Sequence, residues 1–223
     1  EPQGLFRSKD GGQTYEMVRG LYDHPHRSDW GSGFGGPAIH TVLPHPSDPA
    51  RMVVAMSTGG VYRTEDGGLG WNRLGQFPQA VFPRCVGFAD ARRGWVGNIN
   101  ITAGQIQADT SLFETIDGGR TWANISPRIS GDTVVGLCGM RVVSPSVVVA
   151  VGRRGGPAVF VKTTDGGQTW TSRSLAPLAT GIVDLTFFNE RDGFAVGGLG
   201  VGYSEAEQRA SRTVILPTHD GGA

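Results

Sequence analysis

A short phrase recurs along the chain at intervals of roughly fifty residues, which is the period of one blade of a β-propeller. The clearest copy is residues 115–122, TIDGGRTW, and residues 163–170 repeat it as TTDGGQTW. Two copies differ slightly: residues 8–15 end in Tyr, and residues 64–71 have Gly in place of the second Thr. A fifth copy begins at Thr218 with the letters THDGG.

Each copy predicts a tight turn between two β-strands. The Asp carboxylate can accept hydrogen bonds from the backbone N–H groups that follow it, and Gly-Gly supplies the positive φ angles of a hairpin. The Thr and the aromatic residue then begin the next strand, where we expect the aromatic ring to be buried. We therefore interpret the repeated aspartates as structural turn residues rather than metal ligands. They are Asp10, Asp66, Asp117, Asp165 and Asp220.

This phrase resembles the Asp-box, or BNR, repeat of sialidases, sortilin-type receptors and several glycoside hydrolases. Because its copies are spread over the whole chain, the resemblance implies an all-β fold, a β-propeller of four-stranded antiparallel blades with Asp-box hairpins. A propeller hosts many activities, so the resemblance implies little about function.

The spacing of the copies predicts three full blades and a partial blade at each end of a single domain. The full blades occupy about 38–75, 82–126 and 133–175, and the partial blades occupy 1–20 and 181–223. Both ends are expected to supply a third strand, so they do not complete each other. We therefore expect the chain to be part of a ring of roughly five to seven blades, and we expect self-association through open blade edges.

Composition agrees with many short strands and excludes some function classes. The 223 residues include 36 Gly and 13 Pro, as expected for tight turns. Lys plus Arg and Asp plus Glu both number 20, which argues against a general binder of nucleic acid or anionic membranes. No apolar run approaches the roughly 18 residues of a membrane span. The sequence opens in a predicted strand without Met or a signal peptide, so we expect its start to be processed or missing.

Two parts of the chain resemble different groups of propellers. The first part is similar to bacterial BNR proteins labelled as glycosyl hydrolases, through residues 23–27 (DHPHR), 35–36 (GG) and 57–62 (STGGVY). The second half resembles photosystem II assembly-factor propellers and their non-photosynthetic bacterial relatives, through the related segments 87–97 and 186–197. Neither resemblance identifies a substrate.

The starts of the four inner strands form the first candidate site. In a propeller they lie at the channel mouth, on the face opposite the Asp boxes. Alignment by the distance to each Asp box makes four residues equivalent: His40, Cys85, Cys138 and Asp184. If they converge, they could bind a transition metal such as Zn or Cu. In the alternative interpretation, the cysteines are small buried hydrophobic residues between blades. No other cofactor is expected.

A Gly-rich segment, residues 21–37, carries the second candidate site, because long loops in compact domains are often functional. Arg binds carboxylates in a fork and Trp stacks on sugars, so the segment could hold an anionic or sugar ligand. The candidate residues are His24, His26, Arg27, Asp29 and Trp30, together with Arg84 and Arg153 on the same face. The alternative is a solvated polar loop that Trp30 anchors to the rim.

Glycoside hydrolysis is the third candidate chemistry. Resemblance to sialidases would imply an arginine triad, a Tyr–Glu pair and an Asp acid, but the Phe/Tyr-Arg-Ile-Pro motif of that family is absent. Tyr203 lies near Glu205 and Glu207, and the catalytic candidates are therefore Asp184, Glu205 and Tyr203. A glycosidase with two carboxylates needs them roughly 5–10 Å apart.

The leading interpretation is a non-enzymatic binding or assembly scaffold that holds a protein or glycan partner on its channel-mouth face. The alternative is a glycoside hydrolase with a sialidase-like fold that is not a true sialidase. A metal-dependent activity at the channel mouth is the third. Neither a nucleic-acid partner nor a membrane span is expected.

Overall fold

The protein is all-β, with four antiparallel sheets arranged as the blades of a β-propeller and very little helix, which confirms the predicted fold class. The computed structural model describes residues 4–31, 38–75, 77, 82–102, 105–152, 158–200 and 204–222. Within these ranges, none of the helices is both long enough and apolar enough to cross a membrane.

A two-stranded hairpin precedes the first blade. It contains β1 (Phe6–Arg7) and β2 (Glu16–Met17), and the short helix α1 (Arg19–Tyr22) follows it. A 3-10 helix at Pro25–Asp29 occupies part of the segment that the sequence suggested was an irregular loop. The hairpin and α1 pack on the first blade through buried Val18 and Leu21.

Blade A and blade B follow the four-stranded plan, and blade B carries one additional short strand, β9. Blade A contains β3 (Ile39–Pro44), β4 (Met52–Met56), β5 (Gly60–Thr64) and β6 (Asn72–Arg73). Blade B contains β7 (Phe82–Phe88), β8 (Gly94–Thr102), β9 (Gln105–Gln107), β10 (Leu112–Thr115) and β11 (Ala123–Asn124). In blade B, β9 pairs with the extended end of β8, and 3-10 helices lie at Ala108–Thr110 and Ser126–Arg128.

Blade C has a fifth strand at its outer edge. Its strands are β12 (Ile129–Gly131), β13 (Gly139–Val142), β14 (Val148–Gly152), β15 (Val159–Thr163) and β16 (Trp170–Ser174). The linker strand β12 runs parallel to β16, where Ser130 Oγ donates to Trp170 O at 3.1 Å. The backbone N–H of Ser174 donates to Asp132 Oδ2 at 2.7 Å.

Blade D has three strands in the part of the chain that the structure describes. They are β17 (Gly181–Phe187), β18 (Gly193–Leu199) and β19 (Arg212–Thr218), with helix α2 (Glu205–Ala210) between β18 and β19. Self-association through the β19 edge stays a prediction.

The cores lie between neighbouring blades because each sheet buries apolar side chains against the next. Between blades B and C, Trp95 and Trp170 are buried with ring centroids 5.9 Å apart. Between blades A and B, Trp122 donates its indole N–H to Leu74 O at 3.2 Å. The first strands of the blades lie side by side, β3 with β7, β7 with β13 and β13 with β17. They are therefore the inner strands of the propeller.

The repeated phrase forms turns between the third and fourth strands, as the sequence predicted. In the copy around Asp117, this carboxylate accepts hydrogen bonds from the backbone N–H and the hydroxyl of Thr121, at 2.9 Å and 2.6 Å. These hydrogen bonds, the hydroxyl first, hold the pKa of Asp117 well below its usual value. Gly118 and Gly119 have φ angles of 75° and 87°, which favour glycine. The aspartate is therefore engaged in closing its own turn.

Candidate functional site

Three of the inner strands carry a β-bulge close to their start. The pairing register shifts at His40 in β3, at Arg84 in β7 and at Val183 in β17. In blade C, Cys138 precedes β13 and holds the equivalent place when the strands are counted from the Asp-Gly-Gly turns. A bulge adds one unpaired residue and redirects its side chain. The bulges therefore redirect the side chains of His40, Arg84 and Val183 at the channel mouth.

This register corrects the alignment that the sequence suggested. His40 and Cys138 occupy the bulge position, whereas Cys85 and Asp184 lie one residue further along their strands. Successive side chains of a strand point to opposite faces, so the residues do not form one level ring. Among the described residues, no group of three or more His, Cys, Asp and Glu side chains could hold a metal ion.

Arg84, the bulge residue of β7, is positively charged. Its side chain is half-buried, and its Nη1 donates to His40 Nε2 at 3.0 Å. Its backbone carbonyl accepts a hydrogen bond from Thr41 Oγ1 at 3.0 Å, which ties blade B to blade A. Burial lowers the pKa of Arg84, and the groups that oppose this effect are the thiols of Cys138 and Cys85 rather than carboxylates. The guanidinium Nε is buried and has no hydrogen-bond acceptor among the described residues.

His40 lies between Arg84 and the buried hydroxyl of Ser57, with its Nε2 in hydrogen-bond contact with both. Burial, and next the charge of Arg84, lower the pKa of His40 to about 4. The imidazole is therefore neutral at pH 7 and its Nε2 accepts hydrogen bonds. The sequence alone did not identify Ser57, although its position at the end of the strand next to His40 was a usable signal.

We expect the stability of the protein to fall as the pH decreases from 6.5 to 4, because the unfolded chain then binds a proton that folded His40 does not. The expected loss is about 1–2 kcal/mol, a value reduced for the partial exposure of the imidazole. Urea unfolding at several pH values measures it, and His40→Gln should remove that part of the slope. A His40 ring that titrates near 6.5 by NMR would contradict this expectation.

Two further residues of the inner strands, Cys85 and Asp184, have local contacts. Cys85 is buried, its Sγ packs against the backbone of Gly97, and burial raises the pKa of the thiol well above its usual value. Cys85 therefore fits the interpretation as a small hydrophobic residue between blades. Asp184 is exposed, and its Oδ1 accepts a hydrogen bond from the backbone N–H of Leu185 at 2.8 Å.

The second candidate group is built around Tyr62 of β5. The hydroxyl of Tyr62 lies 3.0 Å from His26 Nδ1 and accepts the indole N–H of Trp30 at 3.2 Å. His24 Nε2 lies 3.2 Å from Trp71 O, and the guanidinium of Arg27 stacks 4.0 Å from the ring centre of Tyr22.

These contacts anchor the segment to blade A. Burial is the main reason that the pKa of Tyr62 is raised. The contacts agree with the structural interpretation of Trp30 as an anchor, while Asp29 and His26 stay exposed. The sequence did not identify Tyr62 as the common partner of these side chains.

The glutamates near residue 205 are engaged by neighbouring side chains. Glu205 begins helix α2 and forms an ion pair with Arg209 one turn later. Glu207 accepts a hydrogen bond from Ser204 Oγ at 2.6 Å. The short helix α2 thus forms within the connection between β18 and β19. Two further candidates, Tyr203 and Arg153, lie outside the described residues.

Comparison with known proteins gives one curated relative. No family model matches the chain. A xyloglucanase of a Paenibacillus species is 28% identical over 192 residues, which cover 75% of this chain and 18% of that protein. The chain thus spans about a fifth of the length of the curated relative that it matches.

Solved structures of two kinds share the fold. A GH74 xyloglucanase from Xanthomonas campestris has a TM-score of 0.66 at 19% identity, over 99% of this chain and 34% of that chain. YCF48 from Cyanidioschyzon merolae has a TM-score of 0.55 at 17% identity, over 100% of this chain and 65% of that chain. YCF48 bound to a D1 peptide has a TM-score of 0.55 at 16% identity, over 99% of this chain and 73% of that chain. The xyloglucanases and YCF48 correspond to the glycosyl-hydrolase and assembly-factor resemblances of the sequence. At these identities, the structural likeness shows the fold alone.

Proposed function

We propose that the protein is a non-enzymatic binding or assembly scaffold, and that its channel-mouth face holds an extended segment of a protein partner. The observation that carries this proposal is the half-buried guanidinium of Arg84 at the start of an inner strand, without an ion pair to a carboxylate in the described part of the chain. A buried charge that lacks a partner is costly for a protein alone, so such groups concentrate at sites that bind something. A structure of YCF48 bound to a D1 peptide supports a peptide ligand for a propeller of this shape.

Under this proposal the Asp-Gly-Gly turns are Asp boxes with a structural role only. Their carboxylates accept hydrogen bonds within their own turns, as in the copies around Asp66 and Asp165. They lie at the opposite ends of the strands from Arg84, so they leave the channel-mouth face to the partner. We also keep the proposal that residues 1–223 form a single propeller domain within a larger ring.

A glycoside hydrolase is the second candidate function, because the curated relative and one group of structural neighbours are xyloglucanases. Asp184 is the exposed acid at the start of an inner strand and the best-placed candidate for such chemistry. Glu205 is a weaker candidate, since its carboxylate is paired with Arg209.

The two functions are separated by one pair of measurements on the whole chain. Peptides selected from a random displayed library should bind the wild-type protein and lose at least about tenfold in affinity on Arg84→Ala, a loss of about 1.4 kcal/mol. Xyloglucan and a panel of chromogenic glycosides should give no turnover. If the protein turns over a glycoside, Asp184→Asn abolishes that turnover and no peptide is enriched, the glycoside hydrolase becomes the better-supported function.

A further inference from the structure

We infer that the partner presents a single carboxylate to Arg84, so that the channel mouth between blades A and B is a monocarboxylate site. This inference rests on the proposed function and adds the chemistry that the same site recognises. The carboxylate comes either from the carboxyl end of a peptide or from an acidic side chain, and the experiment below distinguishes these sources.

The comparison with Arg93 shows what Arg84 lacks. The Arg93 side chain is 35% exposed, and its Nη2 pairs at 3.0 Å with Glu114, a carboxylate with only 6% of its side chain exposed. Arg84 is also half-buried, yet its guanidinium contacts the neutral imidazole of His40, and the groups that oppose the lowering of its pKa are the thiols of Cys138 and Cys85. Of these two guanidinium groups, Arg93 thus has its counter-charge built in, whereas Arg84 has none in the described part of the chain.

The hydrogen bonds of Arg84 also favour a carboxylate ligand. Nη1 of Arg84 is used by His40, and the buried Nε has no acceptor among the described residues. A guanidinium carries five donors in a planar fork, and a carboxylate is the planar acceptor that matches it. A carboxylate that neutralises the cation would also strengthen the hydrogen bond network of this inner group.

The charge of the surroundings favours a monoanion over a dianion. Arg84 contributes one positive charge, and His40 is neutral at pH 7. Asp184 lies on the inner strand of blade D, and its charge acts on Cys85 beside Arg84. A phosphate dianion would leave an excess negative charge near Asp184, whereas one carboxylate balances one guanidinium.

Three acetylated pentapeptides test the inference: pentaalanine with a free carboxyl end, the same peptide as its C-terminal amide, and an amide-capped peptide with a central glutamate. NMR titration of wild-type protein with labelled arginine follows the Arg84 Nε–H signal. We expect the signal to shift with at least one carboxylate peptide, at an affinity at least about tenfold above that of the neutral amide. The peptide that binds more tightly identifies the source.

Three variants test the role of Arg84 and control for general charge. Arg84→Gln should abolish the preference for a carboxylate, and Arg84→Lys, which keeps the charge, should retain part of it. Arg92→Gln removes an exposed arginine at the opposite end of the blade, where Arg92 Nε donates to Ile116 O, and should leave the preference unchanged.

The outcomes separate the inference from the proposed function. Peptide binding that does not depend on the carboxylate or on Arg84 would overturn the inference and leave the scaffold standing. The inference would also be overturned if inorganic phosphate shifted the Arg84 Nε–H signal at a lower concentration than any carboxylate peptide. If no peptide binds in any form, both the inference and the proposed function fail.

Discussion

Replacing Trp170 with alanine is expected to lower the free energy of unfolding by about 3–5 kcal/mol. Trp170 is 1% exposed, and its ring packs edge to face on Trp95 of the neighbouring blade. The substitution removes a large apolar surface from the core between blades B and C, and the rigid sheets on both sides cannot close the space. Urea unfolding followed by tryptophan fluorescence and by circular dichroism measures the loss.

The matched control is Tyr15→Ala, because Tyr15 occupies the same place in the repeated phrase. Its side chain is 66% exposed, so its removal should cost less than about 1 kcal/mol. Similar losses at the two positions would show that the phrase itself, rather than burial between blades, determines the contribution of its aromatic residue.

The substitution Glu114→Gln is expected to cost about 2–4 kcal/mol. The carboxylate of Glu114 is 6% exposed and binds Arg93 Nη2 at 3.0 Å and Arg128 Nη1 at 3.1 Å. Glutamine keeps the volume but removes the charge, so two guanidinium groups lose their common partner and stay partly desolvated. The two arginines are themselves 35% and 50% exposed, which keeps the expected loss below that of a fully buried triad.

Glu65→Gln provides the comparison, since Glu65 also lies between two arginines. Its side chain is 54% exposed, and it is 3.6 Å from Arg51 and 3.3 Å from Arg63. Exposed pairs contribute little, so we expect a loss below about 1 kcal/mol. Chemical unfolding of both variants in low and high salt tests the difference: a Glu114 variant as stable as the Glu65 variant would mean that the buried charges are not coupled.

Much of the fold could be predicted from the sequence because its strongest signals are local. The Asp-Gly-Gly turn is specified within a few residues by one carboxylate and two glycines, and its copies set the period of the blades. The strand Gly60–Thr64 illustrates this, since it ends two residues before the turn aspartate Asp66. Burial of the aromatic residue held for Trp71, Trp122 and Trp170, and was wrong for Tyr15.

The candidate site was less predictable because it depends on register and on distant contacts. A bulge at His40 or Arg84 adds one residue to a strand without leaving a signature in the sequence, and a shift of one residue reverses the direction of each side chain. The role of Tyr62 depends on a segment that lies more than thirty residues earlier in the chain, at His26 and Trp30. Pattern analysis of neighbouring residues does not reveal such a contact.

The strand β12 has a consequence for how the protein behaves in concentrated solution. The outermost strands of blades A and B are two residues long, which is too short to template the addition of a foreign strand, but β16 has five residues. By lying along β16, Ile129–Gly131 occupies the backbone groups that another molecule would otherwise pair with. A connecting segment between two blades thus also protects the chain from fibrillar aggregation at this rim.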